Sequence, residues 1–377
     1  MKRLAVYVQF YSTQSALFKV LMAWLCFQNS FVFSQSNDST AGSFSISAQV
    51  HYGFVMIHRP SMIGLVTDHT VGGEIDVTKV ANGHTVFERA YHYPEVGLAY
   101  CYFALGNPNV LGNAQAIYPF VNFPLVQKEK LKFGLRIGGG IGYINKVFNA
   151  YDNFKNNAIS SHINGVMSLR FGLDYQLSSK SKLALAVGLT HWSNGSAVVP
   201  NLGINVNTMS LSYQHFFGKE KKVSRDSLPP FKSSWKNSFF IAAFHKQIVP
   251  SGGSSYLVGT FYGDRSYQFN RKNSLGYGLD VFYNKAIIES LKRQDLSPKS
   301  IDAWRAGIHV SYMLSLGDCA VTIENGVYVY GKLDGDTFLY TRLGVRQKLS
   351  KHIFACANLK THYAKADFFE FGIGYGL

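Results

Sequence analysis

The sequence predicts an all-β fold: an antiparallel transmembrane β-barrel of the bacterial outer-membrane kind, with about 14 strands within a range of about 12–16. Three observations carry this. Hydrophobic residues make up 47% of the 377 residues and aromatics 15%, against 16% charged, with 35 glycines; a soluble enzyme of this size carries more charge and fewer aromatics. Strand candidates alternate apolar and polar residues, which a pleated strand sends to opposite faces. The chain also ends inside such a strand, where Phe369, Phe371, Ile373, Tyr375 and Leu377 alternate with Glu370, Gly372, Gly374 and Gly376. Backbone groups in lipid must all be paired, so a sheet with an apolar outer face must close on itself.

The elements follow in chain order. Lys2, Arg3 and Lys19 precede the apolar run "VLMAWLCFQNSFVFS", and the polar "QSNDST" comes after it. This reads as a secretory signal over residues 1–34. Leu25 stands before Cys26 where lipid attachment wants a small residue. Beyond it, no apolar run reaches the roughly 18 residues a spanning helix needs. Eight strands are predicted near 43–57, 71–79, 95–105, 113–124, 130–143, 161–177, 181–193 and 204–217. In "MSLRFGLDYQL", Met167, Leu169, Phe171, Leu173 and Tyr175 share one face, and Ser168, Arg170, Gly172, Asp174 and Gln176 the other. Short turns such as "VQKEK" and "SSKSK" alternate with longer links such as "NKVFNAYDNFKNNAIS"; in outer-membrane barrels the short turns face the periplasm. A basic, proline-containing stretch, "GKEKKVSRDSLPPFKSSWK", precedes a further group of about six to eight strands. The favoured reading is a single barrel over residues 35–377, and the boundary near residue 225 keeps two tandem eight-stranded barrels as the alternative.

Charge and cysteines narrow the partners. Removing residues 1–34 takes three Lys/Arg and no acid, leaving 34 basic against 22 acidic side chains, a net +12. Such a balance suits an anionic surface or phosphate-bearing lipid. No zinc-finger spacing, recognition-helix pattern or basic-aromatic RNA motif supports nucleic acid as the partner. Cys101, Cys319 and Cys356 match no metal or redox spacing and read as isolated core residues. No metal and no cofactor is expected. "RIGGGIGY" (136–143) has Tyr143 where a dinucleotide loop needs its third glycine, and no helix follows. Glycines in a strand more often permit close packing. His362 reads as a lumen or rim residue, and "NAYDNFKNN" as a solvated outer loop or, alternatively, a substrate-contacting one.

One strand end stands apart. In "SKLALAVGLTHWSNGSAVVPNLGIN", Leu183, Leu185, Val187 and Leu189 form a lipid-facing row, and His191 and Ser193 continue it. The next strand puts Asn205 and Asn207 on the same side, ahead of Met209, Leu211 and Tyr213. A His and a Ser aimed at hydrocarbon are expensive, but they make sense beside a lipid headgroup or its ester. His as base and Ser as nucleophile form an esterase pair. The alternative is a strand that ends in an Asn/Gly/Pro turn.

"HWSNG" followed by "PN", "GIN" resembles the active-site segment of the outer-membrane lipid A 3-O-deacylases, the PagL family. His191, Ser193, Asn194, Pro200, Asn201 and Gly203 match it, and the likeness extends loosely over residues 90–218 through "YHYPEVGLAY" and "NNAISSHIN". Residues 237–377 resemble the longer chains grouped with the family, which end in a strand like "AKADFFEFGIGYGL". The resemblance implies ester hydrolysis on lipid A in the outer leaflet, without metal. His191 would be the base, Ser193 the nucleophile and Asn194 the oxyanion donor. The family's acid falls at Asn205 here, where an amide orients a His but supplies no negative charge. A substitute carboxylate would come from another strand, with Asp152 as first candidate; Glu370 faces the lumen by parity. The second reading is a non-catalytic barrel, either a narrow channel or a lipid-binding relic.

Overall fold

Strict alternation in the first half builds eight antiparallel strands in a computed structural model that describes residues 39–40, 43–219, 221–332, 337–363 and 365–377. The expected signal segment, residues 1–34, lies outside the described residues. After a two-residue β1 (Ser39–Thr40), the strands are β2 (Phe44–Val55), β3 (Thr70–Lys79), β4 (Glu95–Ala104), β5 (Asn113–Lys128), β6 (Leu131–Ile144), β7 (Ile163–Ser178), β8 (Ser181–Ser193) and β9 (Ile204–Phe217). Each pairs with its sequence neighbour, and β9 returns to β2 from Phe44↔Phe217 to Val55↔Val206, closing the sheet. Outward rows such as Val50, Tyr52 and Phe54 on β2 are exposed, while Ser47, Gln49 and His51 between them are buried.

A second closed barrel follows the paired β10 (Lys221–Lys222) and a basic linker. It consists of β11 (Ser234–Gln247), β12 (Ser255–Gln268), β13 (Asn273–Asn284), β14 (Trp304–Leu316), β15 (Cys319–Tyr330), β16 (Leu339–Lys348), β17 (Ile353–His362) and β18 (Lys365–Gly376). The expectation of one barrel of about 14 strands is therefore corrected: the described residues form two eight-stranded barrels.

The inward side chains give the physical reason. An eight-stranded barrel has an interior just wide enough for side chains to fill. In the first lumen Arg170 holds Glu74 in a buried ion pair, and Tyr118 donates to Glu74 at 2.5 Å. Arg136 grips Asp76 with two hydrogen bonds of 2.9 and 2.7 Å. In the second, buried Arg342 bonds Glu324, Glu370 (2.6 Å) and Asp280 (3.0 Å), and Lys360 bonds Asp367 at 2.6 Å. These bulky, mutually neutralising rows need the close approach that a wider barrel would deny them. Glu370 lies in the lumen, as parity predicts, and so does His362, which meets the Tyr328 hydroxyl at 2.8 Å. Among the described residues the three cysteines, Cys101, Cys319 and Cys356, are free, and Cys101 and Cys356 are buried. "RIGGGIGY" is β6, whose glycines admit bulky neighbours: a Cβ at Gly142 would stand 2.7 Å from the indole nitrogen of Trp192.

Long links of the first barrel, 56–69, 105–112, 145–162 and 194–203, gather at one end. They close over an apolar core of Met62, Leu65, Leu111, Ile159, Trp192 and Ile204. The opposite end has short turns, with one exception. Residues 80–94 include the helix α1 (Val86–Ala90), and the adjoining Tyr91 packs with Phe123 of the first barrel and Leu314 of the second. The Tyr91 hydroxyl also donates to the Ser315 carbonyl at 2.6 Å. At the long-loop end Gln247 accepts from the Val199 N–H (3.3 Å), and its own N–H donates to Ser196 O (3.0 Å).

Candidate active site

Trp192 fixes the end of β8. Its indole is fully buried and meets Phe103 edge-on at 5.7 Å, so His191 and Ser193 on either side of it must point outward. Register then sets the neighbours. His191 lies opposite Asn205 on β9, and Ser193 opposite Gly165 on β7. Across that pair, His191 Nδ1 stands 2.6 Å from Asn205 Oδ1. Asn205 is thus the partner that an acid would be, at the position the motif spacing indicates. Gly203 gives the imidazole room, because a Cβ there would lie 2.6 Å from His191 Cε1, and its φ of +81° favours glycine.

Ser193 is 5% exposed. Its Oγ accepts from Asn201 Nδ2 at 2.9 Å and from the Gly195 N–H at 3.2 Å. Among the described residues no hydrogen bond joins His191 to Ser193. They sit at i and i+2 on one row, about 6.5–7 Å apart along the strand, and a nucleophile–base contact of this kind commonly tightens only when substrate is bound. Phe369 of the second barrel lies over Gly165 and Gly195, beside the serine.

Two expectations change at this point. Asn194 does not present a free donor, since its Nδ2 is spent on Ser161 Oγ (2.8 Å) and Val198 O (3.0 Å), which clasp the loop shut. The N–H aimed at Ser193 is that of Gly195. Asp152 is exposed in the 145–162 loop, where its backbone N–H bonds Asn149, and no contact carries it to His191. Among the described residues no carboxylate hydrogen-bonds His191.

The sequence reading did not single out His58. It follows the exit of β2, where Met56 N still bonds Asn205 O, so it adjoins the start of β9. Its Nδ1 stands 3.2 Å from Asn205 Nδ2, and its Nε2 3.0 Å from Leu202 O. Parity was the available signal: the outward row Val50, Tyr52, Phe54, Met56 reaches His58 two residues on.

The fold defines a class, a pair of closed β-barrels with exposed apolar outer rows, and one rim of the first carries His191 and Ser193 on a single outward row. Residues 79–214 match the family described as lipid A 3-O-deacylase (PagL), and residues 233–377 match the acyloxyacyl hydrolase C-terminal domain (PagL_C). The chain belongs to the PagL family, and its location is the outer membrane. No curated protein sequence matches it. Among solved structures, Neisserial surface protein A is 11% identical and matches over 48% of this chain and 100% of its own, with a TM-score of 0.32. A triple mutant of the Rhodopseudomonas blastica porin is 9% identical over 89% and 99% of the two chains, with a TM-score of 0.18.

Proposed function

We propose that this chain is a lipid A esterase, removing the acyl chain ester-linked at the sugar's 3-position from lipid A in the outer leaflet. The observation that carries the reading is the 2.6 Å bond from His191 to Asn205 on the same outward row as Ser193. With Oδ1 of Asn205 accepting from an Nδ1–H, His191 Nε2 is free to act as the base at the long-loop end of the barrel, where the reading places the acyl ester.

In this reading, Ser193 Oγ turns toward His191, gives up its proton to Nε2 and attacks the ester carbonyl. The Gly195 N–H donates to the oxygen that gains charge, and such a donor is worth about 3–4 kcal/mol in comparable sites. Collapse breaks the bond to the sugar oxygen, which takes the proton from His191. Water, deprotonated by the same imidazole, then frees the acid from Ser193. Asn205 holds the ring without adding charge, so turnover is slow for a site of this kind. The excess of Lys and Arg suits the phosphates of lipid A.

The missing acid and the absent His191–Ser193 bond favour a second reading, a lipid-binding relic of the enzyme. Incubating the refolded protein with lipid A and following the product by mass spectrometry separates the two. The enzyme releases one 3-linked fatty acid, and Ser193→Ala abolishes the release. A relic releases none in either form while both remain folded.

A further inference from the structure

We propose that His58 is a positioning residue that sets the tautomer of His191 through Asn205, replacing by orientation what the missing acid would do by charge. This rests on the reading of His191 and Ser193 as base and nucleophile.

An amide has an accepting end and a donating end, and only one of them serves here. If Oδ1 of Asn205 faces His191, it accepts from an Nδ1–H, and Nε2 keeps the lone pair that a serine proton needs. If the amide is turned over, its Nδ2 donates to Nδ1, the proton moves to Nε2, and the ring is no longer a base on the side of Ser193. Asn205 cannot choose between these from its bond to His191 alone. A carboxylate needs no choice, because both its oxygens accept.

His58 makes the choice. Its Nε2 stands 3.0 Å from the Leu202 carbonyl, which can only accept, so Nε2 carries the proton. Nδ1 is then an acceptor, and Asn205 Nδ2 lies 3.2 Å from it. The opposite tautomer would donate from Nδ1, to Met56 O at 3.2 Å or to Oδ1 of a turned-over Asn205, but it would set the lone pair of Nε2 against the Leu202 carbonyl and leave that carbonyl without its donor. The first arrangement satisfies both ring nitrogens of His58 and the second sets two acceptors against each other. A chain of fixed polarity therefore runs from the Leu202 carbonyl through His58 and Asn205 to His191 Nδ1. Its members come from three adjacent segments: the exit of β2, the start of β9 and the end of β8.

Long-range ¹H–¹⁵N spectra of the histidine-labelled, refolded full chain read the tautomer directly, with the His191 signals assigned by their loss in His191→Gln. The expected result is Nδ1–H for His191 in the parent, a shift toward Nε2–H in His58→Ala, and retention of Nδ1–H in His58→Gln, whose amide oxygen can accept from Asn205. On lipid A, His58→Ala lowers kcat by about ten- to a hundred-fold, with KM changed less than about two-fold. In an Asn205→Asp background the same change at His58 has almost no effect, because an oxygen faces His191 either way. An Nε2–H tautomer in the parent overturns the proposal. So does a tautomer indifferent to His58→Ala, or a kcat loss of equal size in both backgrounds. If no variant releases fatty acid, the esterase reading fails, and the spectra alone then decide the role of His58.

Discussion

In the proposed site Asn205 stands where the acid would be, without an acid's charge. Its Oδ1 makes a 2.6 Å contact with His191 Nδ1, and register places it directly opposite on the neighbouring strand. In a serine-protease triad, exchanging acid for amide costs roughly 10⁴-fold in turnover, largely through the wrong tautomer. With the tautomer already set in this chain, part of that cost is avoided and the loss of charge remains. Asn205→Asp should therefore raise kcat on lipid A by about ten- to a thousand-fold, measured as fatty acid released per minute, with both proteins in the same detergent. The spacing of His191, Ser193 and Asn205 was legible in the sequence because all three lie on strands, where parity and register fix direction. His58 was not, since it stands past a strand end, and only the closing pair of β2 with β9 brings it beside Asn205, 147 residues away in sequence.

At the scale of the element, the 194–203 link is a clasped loop. Asn194 ties it to Ser161 and Val198, Asn201 reaches back to Ser193, and Gly203 makes the turn that admits the imidazole. Gly203→Ala adds a methyl 2.6 Å from His191 Cε1 in a backbone conformation at φ +81°. The expected outcome is a loss of activity by about ten-fold or more with the barrel intact, since a displacement of about 1 Å from the productive geometry can cost 10²-fold. Retained strand content by circular dichroism checks the fold. The strand boundaries were legible to within a few residues because apolar/polar alternation reports them directly. The loop's side-chain bonds were not, because Asn194 carries four hydrogen-bonding sites whose partners depend on the folded path. Ser161, in a different outer loop, takes one of them.

At the scale of the whole molecule, two filled barrels stand side by side. The parity of their strands was readable, but the number of barrels was not, because alternation is the same in a sheet that closes after eight strands or after 14. Size is set by whether inward rows such as Arg170–Glu74 and Arg342–Glu324–Glu370 meet across the lumen, a long-range pairing. Both lumens being packed with ion pairs, the protein should show no stepwise ion conductance in planar bilayers under an applied voltage; steady open-channel currents would favour the channel reading. The most direct test of the central claim, that His191 activates Ser193 on the lipid-facing rim, is the intact mass of the refolded protein after exposure to a serine-reactive phosphonate. The account predicts one adduct, mapped to Ser193 by peptide sequencing and lost in His191→Asn. A folded parent that stays unlabelled, or one labelled at Ser193 equally well without His191, would contradict it.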